Sequence, residues 1–195
     1  MGKTDLSRPL GRTGGRADTE PPGGNARFAE RPVRPYDLVT RAVCRALPPF
    51  WAALGLRQTA GTLRHYLRGT GAPYRVDAAL LLALPGVRSV AEEQLDRWRA
   101  EAVARWREGP RTSSAYPADS GWRAVTLTRP GGTDWWLALR AVDYRLTGTV
   151  RVSPDGAVVT DYRFAVCKVW GAGGRLHEAG LAREFTVTGE AFGHV

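Results

Sequence analysis

Acid–base chemistry has few places to reside in this chain. It contains three histidines, His65, His177 and His194, and only His177 stands beside a carboxylate, Glu178, in a glycine-bounded loop ahead of Leu181. A histidine and a carboxylate are the residue types of general acid and base catalysis, although neighbours in sequence seldom point the same way. Glu184 follows within the same segment, next to Arg183. His177, Glu178 and Glu184 are therefore the candidate catalytic residues. His65 falls on the polar side of a helical pattern, and His194 lies in what reads as a frayed end. None of the histidines stands in a His-x3-His or Cys-x2-Cys relation to another ligand, so neither a metal site nor a cofactor is expected. Gly2-Lys3-Thr4 lacks the upstream strand and first glycine of a phosphate loop, and no helix or lysine follows Gly171-Ala172-Gly173-Gly174 at the right distance. Both read as plain loop.

Binding chemistry rests on tryptophan and arginine. Of the seven tryptophans, Trp98 and Trp106 sit on a helical stripe. Trp135 and Trp136, if extended, point to opposite faces, leaving one free to stack on a base, a sugar or a lipid headgroup, or packed beneath a helix. With Arg183, they are the candidate binding residues. The 28 lysines and arginines exceed the 19 carboxylates by nine, and the isoelectric point is near 10.3. Lysine occurs only at positions 3 and 168, and the arginines are spread from end to end without forming a block. An anionic partner, nucleic acid or a membrane surface, held through the arginines is one reading. A generally basic, well-solvated surface from GC-rich coding bias is the other. Cys44 and Cys167, far apart and in unlike patterns, read as buried free thiols rather than a disulfide.

These residues need elements to position them. Residues 1–35 are rich in glycine, proline and arginine, and Leu6, Leu10, Phe28 and Val33 are their only large apolar side chains. So little burial does not offset the ordering entropy, and a disordered basic tail is expected, available to a loading or secretion machinery. Residues 36–195 are expected to form a single α+β domain. Its helical half, 36–110, opens with Asp37 capping a helix whose stripe is Leu38, Val39, Ala42, Val43, Ala46 and Leu47, ended by Pro48-Pro49. Helices over 59–68 and 78–84 follow, the latter broken by Pro85-Gly86. Then comes a helix capped by Ser89 and Glu92, with Ala91, Leu95, Trp98, Ala102 and Trp106 along one face. Residues 111–121 read as a polar link.

The sheet half, 121–192, is anchored by a hairpin. Tyr144, Leu146, Val150 and Val152 alternate with polar residues, Ser153-Pro154-Asp155-Gly156 makes a turn, and Val158 to Trp170 returns. Trp122–Arg129 and Glu184–Phe192 supply flanking strands, and Trp135–Val142 an opening strand or a bridge. N-terminal helices on one face of a C-terminal antiparallel sheet of about four to five strands is the expected architecture. No stretch is long and apolar enough for a membrane span or a secretory signal. The expected product is soluble and cytoplasmic as synthesised, with signal-peptide-independent export open to it.

Asp134-Trp135-Trp136-Leu137-Ala138-Leu139, Gly148-Thr149-Val150, and Gly180-Leu181-Ala182-Arg183-Glu184-Phe185 with Gly189 resemble the motif series of an uncharacterised domain family in bacterial effector and polymorphic-toxin-like proteins. The resemblance spans about residues 60–190, with the Gly-Leu-Ala-x-Glu-Phe piece its specific part. That family carries Asp-Arg-Tyr-Asn-Trp-Asp where this chain has Cys167-Lys168-Val169-Trp170-Gly171-Ala172. The family motif is similar to the Asp-x-Tyr-Asp-Phe signature of bacteriocins that cleave a lipid-linked peptidoglycan precursor. Here only a tryptophan remains, and the carboxylates a phosphodiesterase would use are missing. The resemblance implies an effector or toxin-like domain, inactive or altered at those positions. A non-enzymatic module for an anionic partner, and a structural or adaptor protein, are the other readings.

Overall fold

The computed structural model describes residue 10, residues 28–171 and residues 174–195. Most of the expected tail lies outside these residues. Its described part is placed against the rest of the protein: Leu10 is fully buried, and residues 28–34 lead into α1, Pro35–Ala53. After α1 come α2 (Arg57–Arg68), β1 (Tyr74–Arg75), α3 (Ala78–Leu82), α4 (Pro85–Glu108), β2 (Ser114–Asp119) and β3 (Arg123–Thr126). The order continues with α5 (Thr133–Leu139), β4 (Ala141–Val152), β5 (Val158–Trp170), α6 (Arg175–Glu178) and β6 (Phe185–His194). The class is α+β: helices first, then a mixed, mostly antiparallel sheet with helices packed on it.

Among the described residues the sheet has six strands, in the order β1-β6-β5-β4-β2, and β3 pairs with the start of β4. The hairpin forms as the alternation predicts, with Tyr144 opposite Val166, Leu146 opposite Phe164 and Val152 opposite Val158. Its turn closes by Gly156 N–H donating to Ser153 O at 2.9 Å, with Gly156 at a positive φ of 86°. Gly148 has a separate reason to be glycine. A Cβ there would lie 2.2 Å from the Asp161 carbonyl oxygen, so a side chain would force the central strand pair apart.

One face of the sheet is the core. Leu146, Val150, Val152, Phe164 and Val187 are almost fully buried there. Across them lies α4, burying Val87, Ala91, Leu95, Trp98 and Ala102, the stripe its spacing predicts. The other face is polar and crossed by ion pairs between strands, Arg145–Asp119, Arg151–Asp161 and Arg163–Glu190.

Several expectations are corrected by tertiary context. The opening helix carries the predicted apolar stripe but turns it outward: Asp37 and Pro48 are buried, while Leu38, Val39 and Val43 are exposed. Its inward side is held by polar contacts, with the Asp37 carboxylate on Arg175 and Arg41 reaching the Leu67 carbonyl. Pro48-Pro49 does not end the helix, which runs on to Ala53: proline's fixed φ lies in the helical range, and the helix continues at the cost of ladder hydrogen bonds. The fourth helix starts at Pro85 rather than Ser89, with proline at the first helical position, where its missing N–H matters least. The helix expected over 78–84 is shorter, Ala78–Leu82, and buries Ala78 and Leu81 while Leu80 is exposed. The polar link 111–121 contains a strand, β2, paired along β4. The two-residue β1, absent from the expected architecture, runs parallel to β6 with Tyr74 opposite Val187.

The largest correction is at Trp135. The stretch expected to be a strand or bridge is a helix, α5, and the reason is remote. At the start of α2 the capping position falls to Leu56, whose side chain makes no capping hydrogen bond. The orphan donors are met from α5: Gln58 and Thr59 N–H each donate to the Asp134 carboxylate at 2.8 Å, as does the Thr59 hydroxyl. Asp134 therefore supplies the cap for a helix some 75 positions earlier. Replacing Asp134 with Ala is expected to lower unfolding stability by about 1–2 kcal/mol, and Asn, which keeps an acceptor, by less. Urea unfolding of the three proteins measures both.

Candidate functional site

Where β5 ends and β6 begins, α6 and the residues after it form one wall of a cavity of about 240 Å³. His177, Arg183 and Glu184 line it with Phe28, Gly71 and Val169. The short helix α6 is too small to hold itself in place and is tied from outside. Arg175 donates to both oxygens of the Asp37 carboxylate, at 3.1 and 2.9 Å, and to the Pro32 carbonyl. From the other side residues 28–31 lie along it, with Ala29 N–H donating to His177 O at 3.2 Å and Arg31 N–H to Glu178 O at 2.9 Å.

His177 is 3% exposed. Its Nδ1 accepts the Glu184 backbone N–H at 3.2 Å, which places the proton of the neutral ring on Nε2. That Nε2 is buried and has no hydrogen-bond partner among the described residues. The ring of Phe28 sits over it, centroids 5.3 Å apart. Arg183 donates its backbone N–H to Tyr66 O at 3.1 Å, and its guanidinium lies 4.8 Å from the centre of the Phe28 ring. Gly71, at a positive φ of 69°, makes room for it, since a Cβ there would stand 2.7 Å from the Arg183 side chain. The Glu184 side chain lies on Gly171, where a Cβ would stand 2.2 Å from its Oε1. Under this layer Tyr66 and Phe185 hold Trp170 between them, with ring centroids 5.2 Å apart in each pair. Trp170 Nε1–H donates to Ala138 O at 2.5 Å, joining the site to α5. Burial, and then the Glu184 charge, push the Tyr66 hydroxyl up to about 12, so it stays protonated.

Of the candidates, His177, Arg183 and Glu184 meet in one place. The others go elsewhere. Glu178 pairs with Arg31 at 3.0 Å, Trp135 is buried in α5, and Trp136 lies between the guanidiniums of Arg129 and Arg140, 4.2 and 3.8 Å from its ring centre. His65, expected on a polar face, packs edge-on against Phe185 at 4.5 Å. His194 is paired in β6 with Asp161 at 2.8 Å. Cys44 and Cys167 are free thiols, the first half-buried. Burial pushes the Cys167 thiol up, away from the thiolate a nucleophile needs. A wider groove of about 470 Å³ on the polar sheet face, between Arg75, Trp122, Cys167 and Glu190, gathers less chemistry: its Glu190 carboxylate is taken by Arg163. Among the described residues no group of His, Cys, Asp and Glu could hold a metal ion. Phe28, Gly71 and the Asp37–Arg175 tie leave no local signal in the sequence, since they come from segments far from the motif.

No protein-family model matches the chain, and no curated protein matches it either. Among solved structures it is similar to truncated bacteriocin syringacin M from Pseudomonas syringae pv. tomato DC3000, with a TM-score of 0.37 and 14% identity, over 71% of this chain. The match spans 60% of that protein. It is a distant structural similarity to a bacteriocin.

The Arg175 guanidinium, with the Arg34 N–H, holds the Asp37 carboxyl below the usual carboxylate range. A group lowered on folding stabilises the fold above its unfolded value, about 4, and that contribution fades as pH falls through the folded value. Asp37→Asn should therefore melt below the parent protein at pH 7, with the gap narrowing in acid. Thermal unfolding followed from pH 7 to pH 2 checks this.

Proposed function

We propose that the chain is a bacterial effector or toxin-type domain that works through the cavity of His177, Arg183 and Glu184 on a target bearing an anionic oxygen, a phosphate ester in the first instance. The observation that carries this reading is the meeting of these three side chains, with a buried histidine Nε2–H that nothing among the described residues satisfies. An unpaired buried donor costs about 1–3 kcal/mol, and a ligand oxygen beside Arg183 would relieve that cost. Part of the motif series that resembles the effector family supports it, because the Gly180–Phe185 piece reaches this corner. Arg183 to Phe185 line the wall, Trp170 packs on Phe185, and Asp134 caps α2, whose Tyr66 touches Trp170.

The chemistry follows from the residue types. Arg183 holds a phosphoryl oxygen, Glu184 takes a proton from an attacking water as its oxygen bonds to phosphorus, and His177 Nε2–H donates a hydrogen bond to the leaving oxygen once the Phe28 ring moves aside; the proton held by Glu184 passes to that oxygen as the ester bond breaks. The carboxylates of the family motif are absent from Cys167 to Ala172, but Glu184 lies on Gly171 and keeps one carboxylate at this corner. That is the altered rather than the inactive member of the two alternatives.

The full chain, not residues 36–195, is the form to express, because Phe28 belongs to the cavity. We expect growth arrest when it is retained in the cytoplasm or when it is directed to the periplasm, in one of the two compartments. Arg183→Ala and Glu184→Gln should relieve it by at least about tenfold in surviving cells with unchanged circular dichroism. A protein harmless in both compartments, or variants as toxic as the parent, would overturn the reading.

A further inference from the structure

The apolar stripe of α1 faces solvent. Val39, Val43, Phe50 and Leu54 are each between 58% and 64% exposed, and with Ala46 they recur at the spacing of one helix side over about 22 Å. Isolated exposed apolar residues are ordinary, but a continuous stripe of them marks a surface that is covered in use. None of its residues lines the cavity of His177, so the stripe is independent of that site.

Charge decides what could cover it. From Arg34 to Ala72 the sole carboxylate is Asp37, which has no exposed surface and is held by Arg175. In the same span Arg34, Arg45, Arg57, Arg64 and Arg68 are exposed. On α2, which packs against α1, Arg57, Arg64 and Arg68 repeat at intervals of seven and four and form a ridge opposite the buried Thr62, Tyr66 and Leu67. A second copy would bring this cationic layer against itself. An anionic surface would meet it with opposite charge. A helix with an apolar side and arginine around it is suited to lie in the headgroup boundary of such a bilayer. Among the described residues no helix is long and apolar enough to cross a membrane, which fits lying on the surface and not spanning it.

We propose that α1 is a membrane-surface helix, with Val39, Val43, Ala46, Phe50 and Leu54 entering an anionic bilayer and the arginines of α1 and α2 meeting its lipid phosphates. The test is co-sedimentation of the full chain with vesicles of phosphatidylglycerol mixed into phosphatidylcholine, against phosphatidylcholine alone, at low and high salt. Binding to the anionic vesicles should exceed that to the neutral ones by at least about tenfold and weaken with salt. The pair Val43→Asp and Phe50→Asp should abolish it without changing the circular dichroism melt, since both sites are exposed. The pair Arg57→Glu and Arg64→Glu should weaken it without disturbing the fold. Absence of binding to the anionic vesicles, or binding that survives Val43→Asp with Phe50→Asp, would overturn the proposal. So would a concentration-dependent dimer that the same substitutions dissolve, which would assign the stripe to a second copy.

Discussion

The contact on which most of the structure depends is a helix cap supplied from a distance. An α-helix leaves its first N–H groups without partners, and α2 provides no side chain of its own to meet them. Asp134 does so from the start of α5. Once that carboxylate is in place, α5 is fixed against α2, and the Ala138 carbonyl of α5 stands where Trp170 donates to it. Trp170 then stacks on Phe185, the first residue of β6. Helical and sheet halves are thus joined through one chain of directional contacts in addition to the apolar core beneath α4.

A second tie is electrostatic. Asp37 and Arg175 stand 138 positions apart and bind α1 to α6 through paired hydrogen bonds. Bidentate contacts of this kind fix orientation as well as distance. Through it the short α6 acquires a position that four residues could not hold alone, and His177 with it. The tie also explains why α1 turns Asp37 inward: a buried carboxylate must keep its partner, and the apolar stripe is left on the outside.

Local pattern shows in the sequence wherever the cause is local. The alternation of Tyr144, Leu146, Val150 and Val152 fixes β4, and the spacing of Ala91, Leu95, Trp98 and Ala102 fixes the buried side of α4, because each face meets the core directly. Asp77 caps α3 within three residues. The failures share a different origin. The direction of the α1 stripe and the helicity of Thr133–Leu139 are both set by partners far along the chain. The same division runs through the site. Arg183 and Glu184 could be named from their own segment, and His177 with them. That Glu178 turns away to Arg31, and that Phe28 covers the histidine, depend on a segment whose composition gives no sign of it.

The two margins of the sheet are finished differently. On one side the outermost strand, β1, is two residues long, too short to template another chain. On the other, β2 carries Pro117, and Leu10 adds a parallel bridge to it: Leu10 N–H donates to Pro117 O, and Asp119 N–H donates to Leu10 O. Open backbone at a sheet margin invites strand addition and fibrillar growth, and short strands, proline and covering segments all suppress it. The buried Leu10 thus has a role beyond filling the core, as a stopper against polymerisation along the outer edge of β2.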